Sequence, residues 1–172
     1  MGITLDGRLR VIPVPDARVT CGYGVRGRWW GGGRHRGIDF GAPIGAVVLA
    51  PWSGTVIGIG TWGPAFGARS PVLDFDRLPD GSAGLWGVLA HLDRCWVKVG
   101  EHVQAGQPVG TVGVRGNVTG PHLHFEVHAA ARWSPWWLRR ARDPGPWVRA
   151  QPPAGGRPPI VPSLPQPRAP RL

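Results

Sequence analysis

Glycine and proline interrupt this chain too often for long helices to form. The 172 residues include 28 glycines and 20 prolines. Proline breaks a helix interior, and both residues favour turns. The segments between them are short and rich in valine, leucine and isoleucine, which suit strands. We therefore expect a mainly β fold with many turns and little helix.

Alternation and short apolar runs predict a series of strands. They span residues 9–14, 19–24, 35–40, 46–50, 54–59, 72–75 and 85–92, with very short strands within 97–113 and a last strand through 122–127. A hairpin or tight corner is expected at 51–54, loops at 25–34 and 61–70, and an Asp-Gly turn within 78–82. One short helix is predicted at 134–140.

Composition divides the chain into two parts. Residues 1–149 are expected to form one folded domain, because this length is enough for a single core. From Ala150 onward the sequence is rich in proline and arginine and has few large apolar side chains. Such a segment cannot bury enough apolar surface to fold, so 150–172 is predicted to be a disordered tail.

The charge of the chain predicts an anionic partner. The net charge is +10 with a pI near 11.6, and Lys98 is the sole lysine. Nucleic acid, anionic membranes and anionic cell-wall polymers all fit such a surface. Residues 1–15 lack the apolar core of a secretory signal, and no apolar run approaches the roughly 20 residues that span a bilayer. We therefore expect no signal peptide and no transmembrane segment.

The two cysteines do not form a recognisable metal or redox motif. Cys21 and Cys95 are too few and too far apart for a zinc knuckle or a Cys-x-x-Cys pair. Two buried free thiols are predicted in preference to a disulfide.

Two histidines lie two residues apart in the last alternating run. Side chains at i and i+2 share one face of a strand. His122 and His124 should therefore point the same way, while Leu123 and Phe125 face the opposite side. Two imidazoles that converge from one rigid strand provide part of a metal site.

The other ligands of such a site must come from elsewhere in the chain. A catalytic zinc ion usually has three protein ligands and one open position for water. His35 and Asp39 lie four residues apart just after a glycine-rich run, and His91 ends an apolar stretch. The residues alone leave open which of these complete the site.

Three motifs in this order resemble the lysostaphin-type (LytM-type) zinc metallopeptidases. They are His-x-x-x-Asp at 35–39, Ala-His-Leu at 90–92 and Thr-Gly-Pro-His-Leu-His-Phe-Glu at 119–126. The stretches 21–26 and 98–110 are also similar to the family's glycine-punctuated sequence. The resemblance covers about residues 9–148, and the ordered set is specific although each motif alone is weak.

The resemblance implies a fold and a site. The fold would be of the duplicated-hybrid-motif (barrel-sandwich hybrid) type, with mostly antiparallel sheets of short strands and one groove over a sheet. His35, Asp39 and His124 would bind one zinc ion, and His91 and His122 would be catalytic. No other cofactor is expected.

The resemblance also implies an activity and a substrate. The chain would be a zinc metalloendopeptidase that cuts stem peptides or cross-bridges of bacterial peptidoglycan. Zinc lowers the pKa of a bound water from 15.7 toward about 7, and two histidines can move protons or steady the oxyanion. Which histidine has which role stays open. Glu126 shares the strand face of His124 and is a candidate partner of that ring.

The chain departs from the family pattern at two places. The family often has a tyrosine shortly before its first histidine, whereas Trp29 and Trp30 stand in that neighbourhood here. Without this tyrosine, the hydroxyl that would donate a hydrogen bond to the oxyanion must be replaced by another group. Leu89 replaces the aromatic residue before Ala-His, which should affect packing more than chemistry. His102 and His128 are expected to be structural or solvent-exposed.

Other classes of function fit the motifs less well. A catalytically inactive wall-binding or regulatory module of the same fold is the main alternative. Phosphoryl-carrier and lipoyl-like domains need one modified residue and no metal ligands. A nucleic-acid-binding protein would explain the charge but not the motif order, so no specific nucleic acid is expected.

The expected setting is the bacterial cell wall during phage infection. A wall peptidase without a signal peptide fits a bacteriolytic endolysin released from the host cytoplasm, or a virion part that thins the wall at entry. A bacterial protein with an unusual export route is the remaining alternative. The basic surface would bind anionic wall polymers. The composition suggests a GC-rich genome, which favours a D-alanyl–diaminopimelate cross-link over a glycine bridge as the substrate.

Overall fold

A computed structural model describes residues 11–30, 32–76, 84–129 and 140–145. Within these ranges the chain forms short strands and one 3-10 turn. The strands are β1 (Arg18–Cys21), β2 (Ile38–Gly41), β3 (Val47–Leu49), β4 (Gly54–Ile59), β5 (Pro71–Phe75), β6 (Leu85–Ala90), β7 (Leu92–Cys95), β8 (His102–Val103), β9 (Pro108–Val112), β10 (His122–Ala129) and β11 (Arg140–Arg142), and the 3-10 turn is Pro64–Phe66.

The strands form two antiparallel sheets. The larger sheet has the order β1-β2-β10-β6-β5-β4-β8, with β11 also paired to β10, and the smaller has the order β3-β9-β7. Every strand pairing among the described residues is antiparallel. The prediction of a mainly β, mostly antiparallel fold with little helix is confirmed.

Strand β10 is an inner strand of the larger sheet, paired with β2, β6 and β11, and presents two different faces. Leu123, Phe125 and Val127 have no exposed surface and join a core cluster that includes residues of both sheets. Burying one such side chain stabilises the fold by about 1.5–3 kcal/mol. The alternate residues His122 and His124 point to the other face, as the alternation predicted.

The opposite face of the larger sheet carries a second, smaller apolar cluster. It contains Trp62, Val72, Trp86 and Val88. Part of β10 is therefore covered on both faces. This cover explains why the polar residues at its even positions are also buried.

The predicted first strand is wrong over its described part. Residues 11–14 have no strand pairing, although Val14 is 1% exposed. Proline lacks the N–H that a ladder needs, and Pro13 instead accepts a hydrogen bond from the Leu49 N–H at 2.7 Å. Residues 9 and 10 lie outside the described ranges.

Two other predicted strands that carry site residues differ from the structure at one end, and the connection at 51–54 takes one of its two predicted forms. The strand predicted at 35–40 begins only at Ile38, so His35 precedes it. The strand predicted at 85–92 ends at Ala90, because His91 has a φ of 68° and the chain continues as β7. Strands β3 and β4 belong to different sheets, so 51–54 is a corner and not a hairpin.

Several predictions fall on residues that the structure does not describe. These are the Asp-Gly turn at 78–82, most of the helix at 134–140, the domain end at 149 and the tail 150–172. The predicted helix is wrong at its last residue, since Arg140 begins β11.

The described residues bear on the prediction of two free thiols and on the prediction that no segment spans a membrane. Cys21 and Cys95 are free, as predicted, but half-buried and not buried. No helix in the described part of the chain is long and apolar enough to cross a membrane.

Candidate active site

The pairing of β2 with β10 places a carboxylate opposite an imidazole. Asp39 and His124 are partners in the antiparallel register. Their side chains share the face away from the main core, and Oδ1 of Asp39 lies 2.7 Å from Nδ1 of His124. Both side chains are nearly buried, at 14% and 10% exposed.

His35 reaches the same point from the segment that precedes β2. Its backbone is held by two hydrogen bonds: its N–H donates to the Val25 carbonyl, and its carbonyl accepts from the Gly24 N–H, both at 2.8 Å. Its Nε2 lies 3.1 Å from Oδ1 of Asp39 and 3.0 Å from Nδ1 of His124. The ring of Trp30 covers it, with the centroids 5.1 Å apart.

These three atoms form a compact set of metal-ligand donors. A tetrahedral zinc ion with ligands at about 2.0–2.2 Å holds neighbouring donor atoms about 3.3 Å apart. The observed separations between His35, Asp39 and His124 are 2.7–3.1 Å. Two imidazoles and one carboxylate therefore fit a four-coordinate zinc ion that keeps one position for water.

A looser set of potential ligands includes Cys21. One ligand atom from each of Cys21, His35 and Asp39 lies within 4.8 Å of the others. We favour the set with His124, because its three separations are all close to the edge of a zinc tetrahedron. Register explains the approach of the thiol, since Cys21 pairs with Asp39 across a bulge between β1 and β2.

Backbone carbonyls fix the tautomers of three site histidines. Nδ1 of His35 donates to the Gly22 carbonyl at 2.8 Å, and Nδ1 of His122 donates to the Gly120 carbonyl at 2.8 Å. Nδ1 of His91 donates to the Arg115 carbonyl at 2.7 Å. A carbonyl can only accept, so each neutral ring keeps an unprotonated Nε2.

His124 is oriented in the opposite sense by a carboxylate. Its Nε2 donates to Oε1 of Glu126 at 3.0 Å, so in the neutral ring Nδ1 carries the lone pair and is directed at Asp39. The ligand nitrogens of His35 and His124 are therefore both lone-pair donors. The predicted contact between Glu126 and the His124 ring is present.

His91 and His122 lie together beside the three donor atoms. Their ring centroids are 4.7 Å apart, and the His91 ring lies 5.8 Å from that of His124. Nε2 of His122 is 3.7 Å from Oδ1 of Asp39, beyond hydrogen-bond distance. The structure thus brings all five predicted site residues to one place, with two rings adjacent to the donor set and not within it.

Burial and charge set the protonation of the site. Burial lowers the pKa of His91 to about 4, and the neighbouring rings of His124 and His122 act in the same direction. The hydrogen bond to the Arg115 carbonyl and the charge of Asp39 act in the opposite direction. Burial also raises the pKa of Asp39, but the adjoining rings of His124 and His35 outweigh burial and hold that pKa well below its usual range. In His124 the two carboxylate partners outweigh burial and raise the pKa to about 9. A divalent cation would replace that proton, so its binding would release acid.

Gly37 allows His124 to lie close to β2. A Cβ at this position would come 2.3 Å from the Phe125 carbonyl oxygen and 2.9 Å from Cε1 of His124. No side chain fits at those distances. The glycine between His35 and Asp39 is therefore required by the approach of β10.

An open groove of about 630 Å³ lies beside the two adjacent histidines. Its lining includes Arg115, whose carbonyl accepts a hydrogen bond from Nδ1 of His91. It also includes Gly113, which forms an isolated β-bridge with His122. Ile44 and Val114 expose apolar surface on its wall. None of the five predicted site residues lines this groove, which adjoins the site through these neighbouring residues.

The residues that replace the family's tyrosine do not supply a hydroxyl at the site. Trp29 is 66% exposed, and Trp30 packs against His35. The hydroxyl of Tyr23 donates to the Ala141 carbonyl at 3.0 Å. Leu89, by contrast, is fully buried, as expected for a packing role.

Sequence reasoning missed some neighbours of the site. The ring of Phe66, from the 3-10 turn, lies 5.8 Å from the His124 ring, measured between centroids. The backbone carbonyl of Phe66 accepts a hydrogen bond from the His91 N–H at 2.9 Å. His128 is fully buried against Glu126, while His102 is exposed and paired with Asp76. The two-residue spacing of Glu126 and His128 on β10 was the sequence signal that could have predicted their contact.

A model of peptidase family M23 matches residues 33–135, which include all five predicted site residues. The chain belongs to peptidase family M23. M23 is a metallopeptidase family, so the resemblance drawn from the three motifs and the metallopeptidase class that it implied are confirmed.

Proteins similar to this M23 chain include named peptidoglycan enzymes. The peptidoglycan DD-endopeptidase ShyB of Vibrio cholerae is 32% identical over 131 residues, 73% of this chain. The solved catalytic domain of the antimicrobial peptidase lysostaphin from Staphylococcus simulans is 34% identical with a TM-score of 0.66, over 78% of this chain and 93% of that one. A zinc-containing peptidase from Vibrio cholerae is 29% identical with a TM-score of 0.56, over 73% and 41%.

The matched region is a small part of the full-length relatives. It spans 29% of the length of ShyB and 24% of the length of lysostaphin. It covers nearly all of the lysostaphin catalytic domain, whose fold it shares. The similarity therefore concerns the peptidase domain of these proteins.

Proposed function

We propose that this protein is a zinc-dependent endopeptidase that hydrolyses peptide cross-links of bacterial peptidoglycan. One observation carries the proposal: donor atoms of His35, Asp39 and His124 lie 2.7–3.1 Å apart, with His91 and His122 adjacent. A carrier or binding module of this fold would need neither the donor set nor the two neighbouring rings. The inactive alternative is therefore less well supported.

His35, Asp39 and His124 would hold one zinc ion. Bound there, zinc would polarise the scissile carbonyl and lower the pKa of a water toward about 7. The single negative charge of Asp39 leaves the site a net positive charge when the ion is present, which suits stabilisation of a developing oxyanion. Burial of the ligands excludes competing water and strengthens these interactions.

His91 and His122 would move the protons of the reaction. Each ring keeps an unprotonated Nε2, because its Nδ1 is committed to a backbone carbonyl. One ring would accept the proton of the attacking water on its free Nε2, and that same proton, given directly or passed through the neighbouring ring, would go to the leaving amine. With no tyrosine hydroxyl at the site, these rings are also the candidate partners of the oxyanion.

The substrate proposal draws on similarity and on surface charge. ShyB acts on peptidoglycan by its name, and the groove beside His91 is open to a peptide chain. The net charge of +10 favours the anionic polymers of a bacterial wall. The phage setting and the preference for a D-alanyl–diaminopimelate cross-link stay predictions from the sequence.

Digestion of purified peptidoglycan tests the proposal. Directly cross-linked and glycine-bridged sacculi are incubated with the protein, with a chelator, and with chelator followed by Zn²⁺, and the soluble products are analysed by mass. We expect cross-linked peptides to gain one water and separate, activity to vanish with chelator, and Zn²⁺ to restore it. Intact sacculi of both types under all conditions would contradict the proposal.

A further inference from the structure

A buried row of polar side chains extends along β10 behind the metal-ligand candidate. His124, Glu126 and His128 occupy alternate positions of the strand and share one face. Counted as whole residues, they are 8%, 2% and 0% exposed. Three ionisable side chains are thus enclosed in a part of the sheet where apolar residues would pack at lower cost.

The carboxylate of Glu126 connects the two rings. Its Oε1 accepts from Nε2 of His124 at 3.0 Å, and its Oε2 accepts from Nε2 of His128 at 2.5 Å. Each oxygen therefore has its own imidazole partner. A carboxylate that is 2% exposed and held at both oxygens cannot rotate without breaking a hydrogen bond that bulk solvent does not reach to replace.

His128 is held in place by apolar contacts on the far side. Its ring meets Trp62 edge-on, with the centroids 4.9 Å apart and the planes at 63°. It pairs in register with Trp86 of β6. Its Nδ1 is buried and has no hydrogen-bond partner among the described residues.

This arrangement is costly for stability alone. An unsatisfied buried polar atom costs about 1–3 kcal/mol, and buried ionic groups are often less stabilising than apolar residues of the same volume. A leucine or phenylalanine at 128 would pack against Trp62 without that cost. The cost indicates that the row serves the site at its exposed end.

We propose that Glu126 and His128 are a positioning pair for the metal ligand His124. Glu126 fixes the tautomer of His124 with the proton on Nε2, so that the lone pair of Nδ1 faces Asp39 and His35. His128 holds the other carboxylate oxygen and keeps Glu126 in place. The inference rests on the proposed function, since it takes His124 as a zinc ligand.

The two residues act in series, which gives the proposal a distinctive energetic signature. Removing the acceptor at 126 frees the His124 ring to turn or to change tautomer, and zinc affinity should fall by about 10–100-fold. His128 touches His124 only through Glu126, so its loss should matter less. Once Glu126 is gone, His128 should have no further effect on zinc affinity.

The test measures Zn²⁺ affinity of the full-length protein by competition with a chromophoric chelator. Glu126→Leu should lose about 10–100-fold, and Glu126→Gln, which keeps a carbonyl for the His124 N–H, should recover most of that loss. His128→Leu should lose less than Glu126→Leu, and adding it to Glu126→Leu should change nothing more. His102→Gln is the matched control, because that histidine is exposed and paired with Asp76, and it should bind as the wild type does.

Two results would overturn the positioning role. One is a folded Glu126→Leu protein that binds Zn²⁺ as tightly as the wild type. The other is a further loss of affinity when His128→Leu is added to Glu126→Leu. If Glu126→Leu does not fold, nitrogen NMR of the zinc-loaded wild type decides: the proton of His124 must be on Nε2, and a proton on Nδ1 contradicts the proposal.

The same measurements separate this inference from the proposed function. If His124→Ala abolishes Zn²⁺ binding while Glu126→Leu does not, the positioning pair is wrong and the metal site stands. If His124→Ala binds Zn²⁺ as the wild type does, the metal site itself is wrong and the inference fails with it.

Discussion

Nδ1 of His124 lies 2.7 Å from Oδ1 of Asp39, although 85 positions separate the two residues in the chain. They meet because β2 and β10 pair antiparallel with these two residues opposite each other. The donor set therefore depends on a strand register and not on a flexible loop. A slip of one residue in that register would turn His124 to the opposite face and destroy the site.

Loss of a proposed ligand should remove the metal. In Asp39→Asn the donor set loses its only negative charge, and in His124→Ala it loses a nitrogen. We expect Zn²⁺ affinity to fall by more than the 10–100-fold typical of residues that only support a ligand, and peptidoglycan hydrolysis to fall with it. Elemental analysis of the dialysed proteins measures the first effect. A stoichiometric zinc content in either variant would contradict the ligand assignment.

His91 should be needed for turnover but not for metal binding. The substitution His91→Asn suits its φ of 68°, since asparagine tolerates the left-handed region. We expect zinc content to be retained and the rate of cross-link hydrolysis to fall by about 10²–10⁴-fold, as for loss of a proton-transfer group. If zinc is lost in this variant as it is in Asp39→Asn, His91 is a ligand and the division of roles is wrong.

The lowered pKa of His91 predicts acid sensitivity in a defined window. Its folded-state pKa is about 4, below the ordinary 6.5. Between these values the unfolded chain binds a proton at this ring and the folded chain does not, so the free energy of unfolding decreases as the pH falls from 6.5 toward 4. The contribution is fully present above 6.5 and is on the order of 3 kcal/mol.

The ring proton resonances of His91 measure this pKa directly. We expect a titration midpoint near 4, and His91→Asn should weaken the pH dependence of urea unfolding between pH 6.5 and 4. A bound divalent cation would repel the second proton and shift the midpoint in the same direction. A midpoint at 6 or above would show that burial does not control this ring.

Gly37 provides a test of the close approach between β2 and β10. In Gly37→Ala the new methyl group would meet the Phe125 carbonyl oxygen and Cε1 of His124. We expect a loss of about 1–3 kcal/mol in unfolding free energy, with weaker zinc binding because His124 is displaced. Gly22→Ala is the matched control: nothing lies within 4 Å of a Cβ there, so the change should stay within about 0.5 kcal/mol. Equal stability of the two variants would contradict the packing account.

Local patterns predicted the elements of the site better than their surroundings. The alternation from His122 onward correctly placed both imidazoles on one face, because strand periodicity depends only on neighbouring residues. The same rule extended β2 back to His35, which is wrong: Gly37 and the hydrogen bonds of the preceding loop, to Gly24 and Val25, hold that residue outside the strand.

Contacts set by tertiary structure could not be read from the sequence. The approach of Cys21 to His35 depends on a bulge between β1 and β2, and the burial of His128 depends on Trp62 from a distant loop. The left-handed backbone of His91 likewise has no local signal, since an ordinary apolar run precedes it. Such features arise when segments meet and not from their own composition.

X-ray absorption at the zinc edge of the purified protein tests the central claim most directly. One zinc ion per chain should be surrounded by nitrogen and oxygen atoms at about 2.0–2.2 Å, with the scattering pattern of two imidazoles, from His35 and His124. A sulfur shell near about 2.3 Å would show that Cys21 is a ligand. That result, or a protein that retains no zinc, would contradict a site built by His35, Asp39 and His124.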